Sequence, residues 1–326
     1  MPDLLTHVAF AREVQDLMEP RQRELTRSRQ KLYELGAQGP DIFFYFGHRP
    51  GIGHKKLSGL GGMLHNRETD RFLLEGFRQA GLLPPGQRED LEVYMLGFVC
   101  HYALDTRCHP FVYAFSGYRF NFPGRIPEYT RRHVVFEGIL DVLVYRERTG
   151  REASRVRCWD LFPEELPEVV DNFYTAVLRD LYRDQRYEPG DARKALKDLR
   201  LVLRFLYDPR GWKQGMLRKV RWLTGRTIFM GKEFYPLQVD VSTDYMNMLH
   251  RTWCHPLRPE DCCQDSFPDC WNKARQGAQR YFRGLEEAAG VLAEDLFEGY
   301  HYGTGIVWNH ADNLRQAEGP GLIPVL

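Results

Sequence analysis

The chain has 326 residues, 43% of them hydrophobic and 27% charged, the make-up of a globular protein that can bury a large core. Its 45 basic and 44 acidic residues nearly cancel, which removes the long-range field that gathers nucleic acid or anionic surfaces. No apolar run approaches the roughly 18 residues that span a bilayer.

The opening Met1-Pro2-Asp3-Leu4-Leu5-Thr6-His7 lacks the basic and apolar regions of a signal peptide. An odd count of seven cysteines then points to reduced thiols in a cytoplasmic protein. Along the chain, Val8, Ala11, Val14 and Leu17 share one side of a helix predicted over 8–17. Leu91, Tyr94, Met95, Phe98 and Tyr102 predict a helix over 91–104 that also bears His101 and Asp105. Val134, Ile139, Leu140, Leu143 and Val144 predict another over 133–148. Further helices are expected over 165–182, 191–206, 213–223 and 269–297, with Asp191 as an N-cap after Pro189-Gly190. Loops rich in Gly, Pro, Asn or Asp are expected over 47–62, 116–127 and 234–268. The basic stretches 21–31 and 213–226 read as solvated helix faces. Period-2 alternation is nearly absent. The fold class is mainly α, with a metal-binding helical core over 1–150 and a helical extension over 151–326 within the same domain.

Seven potential metal ligands lie between residues 41 and 137: Asp41, His65, His101, Asp105, His109, His133 and Glu137. His101/Asp105 and His133/Glu137 are i, i+4 pairs in predicted helices, so each pair projects from one face about a turn apart. Imidazole and carboxylate held together suit a borderline cation such as zinc. Singly, a helical histidine is ordinarily a satisfied polar residue and an aspartate a cap. Together the odds change. Residues 100–110 set His101, Asp105 and His109 at four-residue steps in an apolar setting, and a cation can partner several buried polar groups at once.

Leu5-Thr6-His7, Leu35-Gly36-Ala37-Gln38-Gly39-Pro40-Asp41, Met63-Leu64-His65, His101-x3-Asp105, His109-Pro110 and His133-x3-Glu137 occur in that order. On these elements, residues 1–145 resemble the zinc-dependent phospholipase C family, whose fold single-strand-specific zinc nucleases share. The resemblance implies a compact multi-helical domain with two or three zinc ions in a cleft between helices. It implies that Asp41, His65, His101 and Asp105 hold one zinc, with Asp105 bridging to another. His109, His133 and Glu137 would hold a second and leave an open position. His7 would help hold a third, where secreted relatives also use a processed N-terminal residue. In this chain His7 lies several residues inside, so that site is either absent or rebuilt; His48 and His54 are the candidates to rebuild it, although their glycine-rich loop reads as exposed, and the step from Asp105 to His109 is shorter than in the secreted enzymes. The implied activity is hydrolysis of a phospholipid-like phosphate ester by zinc-activated water, with Asp41 and Glu137 as catalytic carboxylates. The alternatives are a nuclease of the same fold, disfavoured by the balanced charge, and a protein that keeps the metal without turnover.

Two further groups are secondary. Cys254, Cys262, Cys263 and Cys270, near His250 and His255, do not follow CxxC spacing, so loop or buried thiols are the ordinary reading and a small separate metal site the alternative. Phe43 to Phe46, and Phe111, Tyr113, Phe115, Tyr118, Phe120 and Phe122, read mostly as core, with some forming a wall beside the metals. Gly59 to Gly62 reads as a flexible connection rather than a phosphate loop.

Overall fold

The computed structural model describes residues 4–49, 52–53, 59–117, 126–183, 187–224, 234–288 and 291–307. Its helices are α1 (Leu4–Gln15), α2 (Pro20–Ser28), α3 (Gln30–Gly36), α4 (Leu60–Asn66), α5 (Thr69–Gly81), α6 (Pro85–Ser116), α7 (Ile126–Thr149), α8 (Glu168–Leu181), α9 (Asp191–Leu206), α10 (Trp212–Thr224) and α11 (Phe267–Glu287). Two short antiparallel pairs complete the regular structure, β1 (His48–Arg49) with β2 (Ile52–Gly53) and β3 (Trp253–His255) with β4 (Arg258–Cys263). The expectation of a mainly α fold holds.

Helix α6 is the axis of the fold. Pro85 opens it, where a missing N–H is harmless, and Gly117 ends it at φ 71. Its middle is buried on every side, from Leu91 to Val112 with few breaks, because α1, α3, α5, α7, α8 and α11 all pack against it. The helix outruns the predicted 91–104 and passes through Pro110. Proline there leaves the Thr106 carbonyl without its helical donor. The backbone of Gly305, at φ +61, lies against that oxygen so closely that a Cβ would sit 2.2 Å from it.

Where α3 crosses α6, two glycines allow backbone to meet backbone. A Cβ on Gly36 would lie 2.1 Å from the Tyr94 carbonyl oxygen, and one on Gly97 2.1 Å from that of Tyr33. Neither obstacle is a flexible side-chain end. Gly97→Ala is therefore expected to force α3 off α6 and to cost about 1–3 kcal/mol, as overpacking does. A urea-unfolding midpoint equal to wild type would contradict this.

Several expectations need correction. The 47–62 loop contains β1 and β2, and it ends in α4, where Gly61 and Gly62 are helical rather than a flexible connection. Gly190, at φ 93, is the N-cap of α9 instead of Asp191. The Asp171 carboxylate on α8 accepts from Gly190 N at 2.6 Å and Arg193 N at 3.3 Å, while Asp191 accepts from Glu188 N. A partner helix supplies the acceptor that the adjacent residue was expected to provide. The last predicted helix ends at Glu287 rather than 297, and it begins with a capping box between Ser266 and Asp269.

The cysteines depart furthest from expectation. The register of β3 on β4 sets Cys254 opposite Cys262, and the two form a disulfide. Cys100, Cys108, Cys158 and Cys270 are buried thiols and Cys263 a half-buried one. A disulfide is at odds with a reducing compartment, where seven thiols would persist. It also consumes half of the soft-ligand group. His250 and His255 point elsewhere, towards the carbonyls of Gln264 and Thr304. Among the described residues no metal-ligand group forms there. No helix of the described residues is long and apolar enough to cross a membrane.

Candidate metal centre

Five elements build the group around Asp105. Helix α6 carries His101, Asp105 and His109 along one face; α1 delivers His7, α4 delivers His65, and α7 delivers His133 and Glu137. Asp41 comes from a 3-10 turn (Gly39–Tyr45) that follows α3. All eight residues are nearly or fully buried, none more than 9% exposed.

The Asp105 carboxylate is central to the group. Its Oδ1 lies 3.2 Å from His7 Nε2, and its Oδ2 lies 3.2 Å from His101 Nε2, 3.1 Å from His109 Nδ1 and 3.8 Å from His65 Nε2. Asp41 Oδ1 is 3.1 Å from His65 Nε2. On the other side His109 Nε2 and His133 Nε2 approach Glu137 Oε1 at 3.3 and 2.9 Å. Three groups have ligand atoms close enough to share an ion: His7, His101 and Asp105; Asp41, His65 and His101; His109, His133 and Glu137. His109 faces both sides, with Nδ1 towards Asp105 and Nε2 towards Glu137.

Short distance does not make these contacts hydrogen bonds. Asp41 Oδ1, Asp105 Oδ2, both oxygens of Glu137 and His101 Nε2 are buried with no hydrogen-bond partner. Among the described residues no lysine or arginine forms an ion pair with Asp41, Asp105 or Glu137, whose close cationic neighbours are histidines alone. Buried carboxylates without compensation are expensive. Lone pairs from three carboxylates and several imidazoles converging in one interior volume fit divalent cations.

The outer partners orient the rings. His65 Nδ1 lies 2.7 Å from the Gly61 carbonyl and His101 Nδ1 3.3 Å from that of Ala37, which turns each Nε2 inward. Gly39, at φ +53, leaves room for the His101 ring, since a Cβ would lie 2.4 Å from it. The His7 ring stacks on His101 at 4.3 Å and that of Tyr113 on His133 at 4.8 Å. Of the aromatics expected to wall the site, Phe44 and Tyr113 do so, whereas Phe43 packs on Tyr174 in the core. Tyr118, Phe120 and Phe122 lie outside the described residues, as does His54, and His48 falls in β1. A small, partly open cleft adjoins the cluster, bordered by His7, Asp105, His109 and Glu137 and by the apolar Leu140 and Phe267.

A family model described as zinc dependent phospholipase C matches residues 6–184. That span is more than half of the chain and includes all eight side chains.

The chain belongs to the zinc dependent phospholipase C family.

No curated protein and no solved structure matches the chain significantly. The family match runs past residue 145, the limit of the sequence resemblance, and takes in α8. As a phospholipase C-type protein it is a metal-dependent hydrolase, and zinc is the family's metal. Two residues beside the candidate centre carried no local signal. Tyr302, beyond the matched span, sets its ring 5.3 Å from His65 and 5.5 Å from His101, and its N–H donates to the His65 carbonyl. Asp141, one turn beyond Glu137, accepts from Leu5 N at 3.0 Å, Thr6 N at 2.8 Å, the Thr6 hydroxyl and the Tyr235 hydroxyl at 2.7 Å. It thereby caps α1 beside His7.

Protonation is tied to the same contacts. Burial alone would lower the pKa of His65 and His109, but Asp41 and Asp105 outweigh it and raise both. Burial would favour neutral Asp105 and Glu137, yet the surrounding histidines hold both well below the usual carboxylate range. In metal-free protein the two raised histidines stabilise the fold fully below pH ~6.5 and lose that contribution as pH rises through their raised values. The carboxylates remain ionised across this window. Zinc requires neutral rings, so protons compete with it. The gain in Tm on adding zinc is expected to grow from about pH 5.5 to about pH 8. Equal gains across that range, read by differential scanning fluorimetry against a chelator control, would count against imidazole ligation.

Proposed function

We propose that the protein hydrolyses the phosphodiester of a phospholipid, using a cluster of two or three zinc ions. The observation that carries this reading is the convergence of three buried carboxylates, none paired with a lysine or arginine among the described residues, with five histidines inside the span matched by the family. Asp41, His65 and His101 would hold one ion, and His109, His133 and Glu137 another, with Asp105 shared between them. His7, with His101 and Asp105, would complete a third position. Bound zinc supplies Lewis acidity to a phosphoryl oxygen and to water.

The protein's own groups do the rest. Asp41 Oδ1 and the Glu137 oxygens, buried and without hydrogen-bond donors, are the acceptors able to orient a water and receive its proton. The histidines that hold Glu137 ionised keep it ready as an acceptor at neutral pH. The Gly61 and Ala37 carbonyls fix which imidazole nitrogen faces inward. Leu140 and Phe267 present apolar surface to the cleft, suited to the lipid side of the scissile bond. The packing of α11 along α6 and of Tyr302 against His65 supports one helical domain in which the described residues beyond 150 complete the core of the N-terminal part.

Zinc-loaded protein is expected to release a phosphorylated headgroup from phosphatidylcholine or a related lipid, while His101→Ala and Glu137→Ala lose zinc and at least about 100-fold of the rate. Unaltered metal content in both variants would sink the assignment. Cleavage of single-stranded nucleic acid with no lipid turnover would favour the nuclease reading.

A further inference from the structure

Helix α10 differs from every other helix of the described residues in burying none of its described side chains. Trp212 is 77% exposed, Trp222 83%, Leu223 72% and Met216 59%. Isolated exposed hydrophobics are ordinary, but four large ones on one short helix mark a contact surface. At about 100° per residue, Trp212, Met216 and Leu223 fall within roughly 40° of one another, one stripe along the helix. The charges are equally one-sided. Lys213, Arg218, Lys219 and Arg221 are the only charged residues of α10, in a chain whose net charge is +1. The balanced total conceals a local basic segment.

Lys213 anchors the helix: its ammonium donates to the Phe205 and Tyr207 carbonyls and lies over the Phe205 ring. Arg218 and Lys219 are exposed, Lys219 bordering the apolar stripe and Arg218 about 40° from Trp222. Tryptophan at both ends, an apolar stripe and cations without acids are the composition of a helix that lies in a lipid–water interface. Negative phosphates complement Arg218 and Lys219, and the acyl boundary complements Trp212, Met216 and Leu223.

The helix is also wired to the metal centre. Gln214 on α10 donates to the Tyr235 carbonyl at 3.2 Å; the Tyr235 hydroxyl donates to Asp141 at 2.7 Å; Asp141 holds the amides of Leu5 and Thr6 beside His7. Residues 212–224 lie outside the span that the family model matches.

We propose that α10 is an interfacial anchor that seats the protein on an anionic phospholipid surface. The choice of a lipid surface rests on the phospholipid reading above, but its test does not depend on hydrolysis. Full-length protein is mixed with phosphatidylcholine vesicles with and without phosphatidylserine, and the bound fraction is read by co-sedimentation. Wild type is expected to partition onto the phosphatidylserine vesicles, and less so at high salt. Trp212→Glu/Leu223→Glu is expected to lose binding roughly tenfold or more, and Arg218→Glu/Lys219→Glu to lose the preference for phosphatidylserine. Both variants should keep zinc content, far-ultraviolet circular dichroism and turnover of a water-soluble short-chain phosphodiester. Failure of wild type to bind either vesicle, or wild-type binding by both variants, overturns the proposal. So does self-association abolished by Trp212→Glu without vesicle binding, which makes the stripe a protein contact. Vesicle binding lost in the variants but no phospholipid hydrolysis by wild type upholds the anchor and rejects the hydrolase reading. Hydrolysis of soluble substrate with no vesicle binding does the reverse.

Discussion

Asp105→Asn is expected to release zinc from more than one position and to reduce phospholipid hydrolysis by about 10² or more. Asparagine preserves shape and one oxygen but removes the charge, and Asp105 is the one carboxylate that His7, His65, His101 and His109 all approach within 3.8 Å. Without it, the imidazoles on either side lose a common anion, and two cations would repel each other with less to offset them. The metal-free variant should also titrate differently. His109 and His65 owe part of their raised pKa to Asp105, so the pH-dependence of the zinc-induced Tm gain should shift to lower pH. Elemental analysis of purified protein, beside hydrolysis rates at saturating zinc, checks both. Wild-type zinc stoichiometry in Asp105→Asn would show that the central carboxylate is not a shared ligand.

Asp141→Ala is expected to cost about 3–5 kcal/mol of stability, a large effect for a residue that faces no candidate ion. The carboxylate is fully buried and accepts from two amides and two hydroxyls. Alanine would leave those donors in the interior without an acceptor and remove the anion at the N-terminus of α1. Chemical unfolding should show the loss in metal-free and zinc-loaded protein alike. The position held by His7 should weaken, because His7 lies one residue past the anchored amides, while the group of His109, His133 and Glu137 should retain its ion. A variant as stable as wild type would mean that the four contacts bring no net gain over hydration.

Much of the centre was legible without coordinates because it sits on long helices. His101, Asp105 and His109 are two steps along one face of α6, and His133 and Glu137 are one step along α7; i, i+4 geometry alone places each set together. Asp41, His65 and His7 could be added only through the order of short motifs, since nothing local says that three other segments meet α6. Tyr302 was out of reach for the same reason. It lies far along the chain and meets the site where its N–H donates to the His65 carbonyl and the turn around Gly305 packs on the Thr106 carbonyl. Asp171 displaced the predicted cap of α9 from a different helix, and the Cys254–Cys262 bond depends on a strand register that eight residues of spacing do not reveal.

The sequence by itself determined the helical class and the family resemblance, and it named the eight candidate ligands: five through helical spacing, a short-range property of the chain, and Asp41, His65 and His7 through the order of short motifs. Only the tertiary structure decided that the three carboxylates are buried without a lysine or arginine to compensate them, that Asp105 stands among four imidazoles, and that α10 leaves its tryptophans outside the core. These are properties of long-range packing. Burial sets the cost of a charge and convergence supplies its partners, and neither can be read from residues that are neighbours only in sequence.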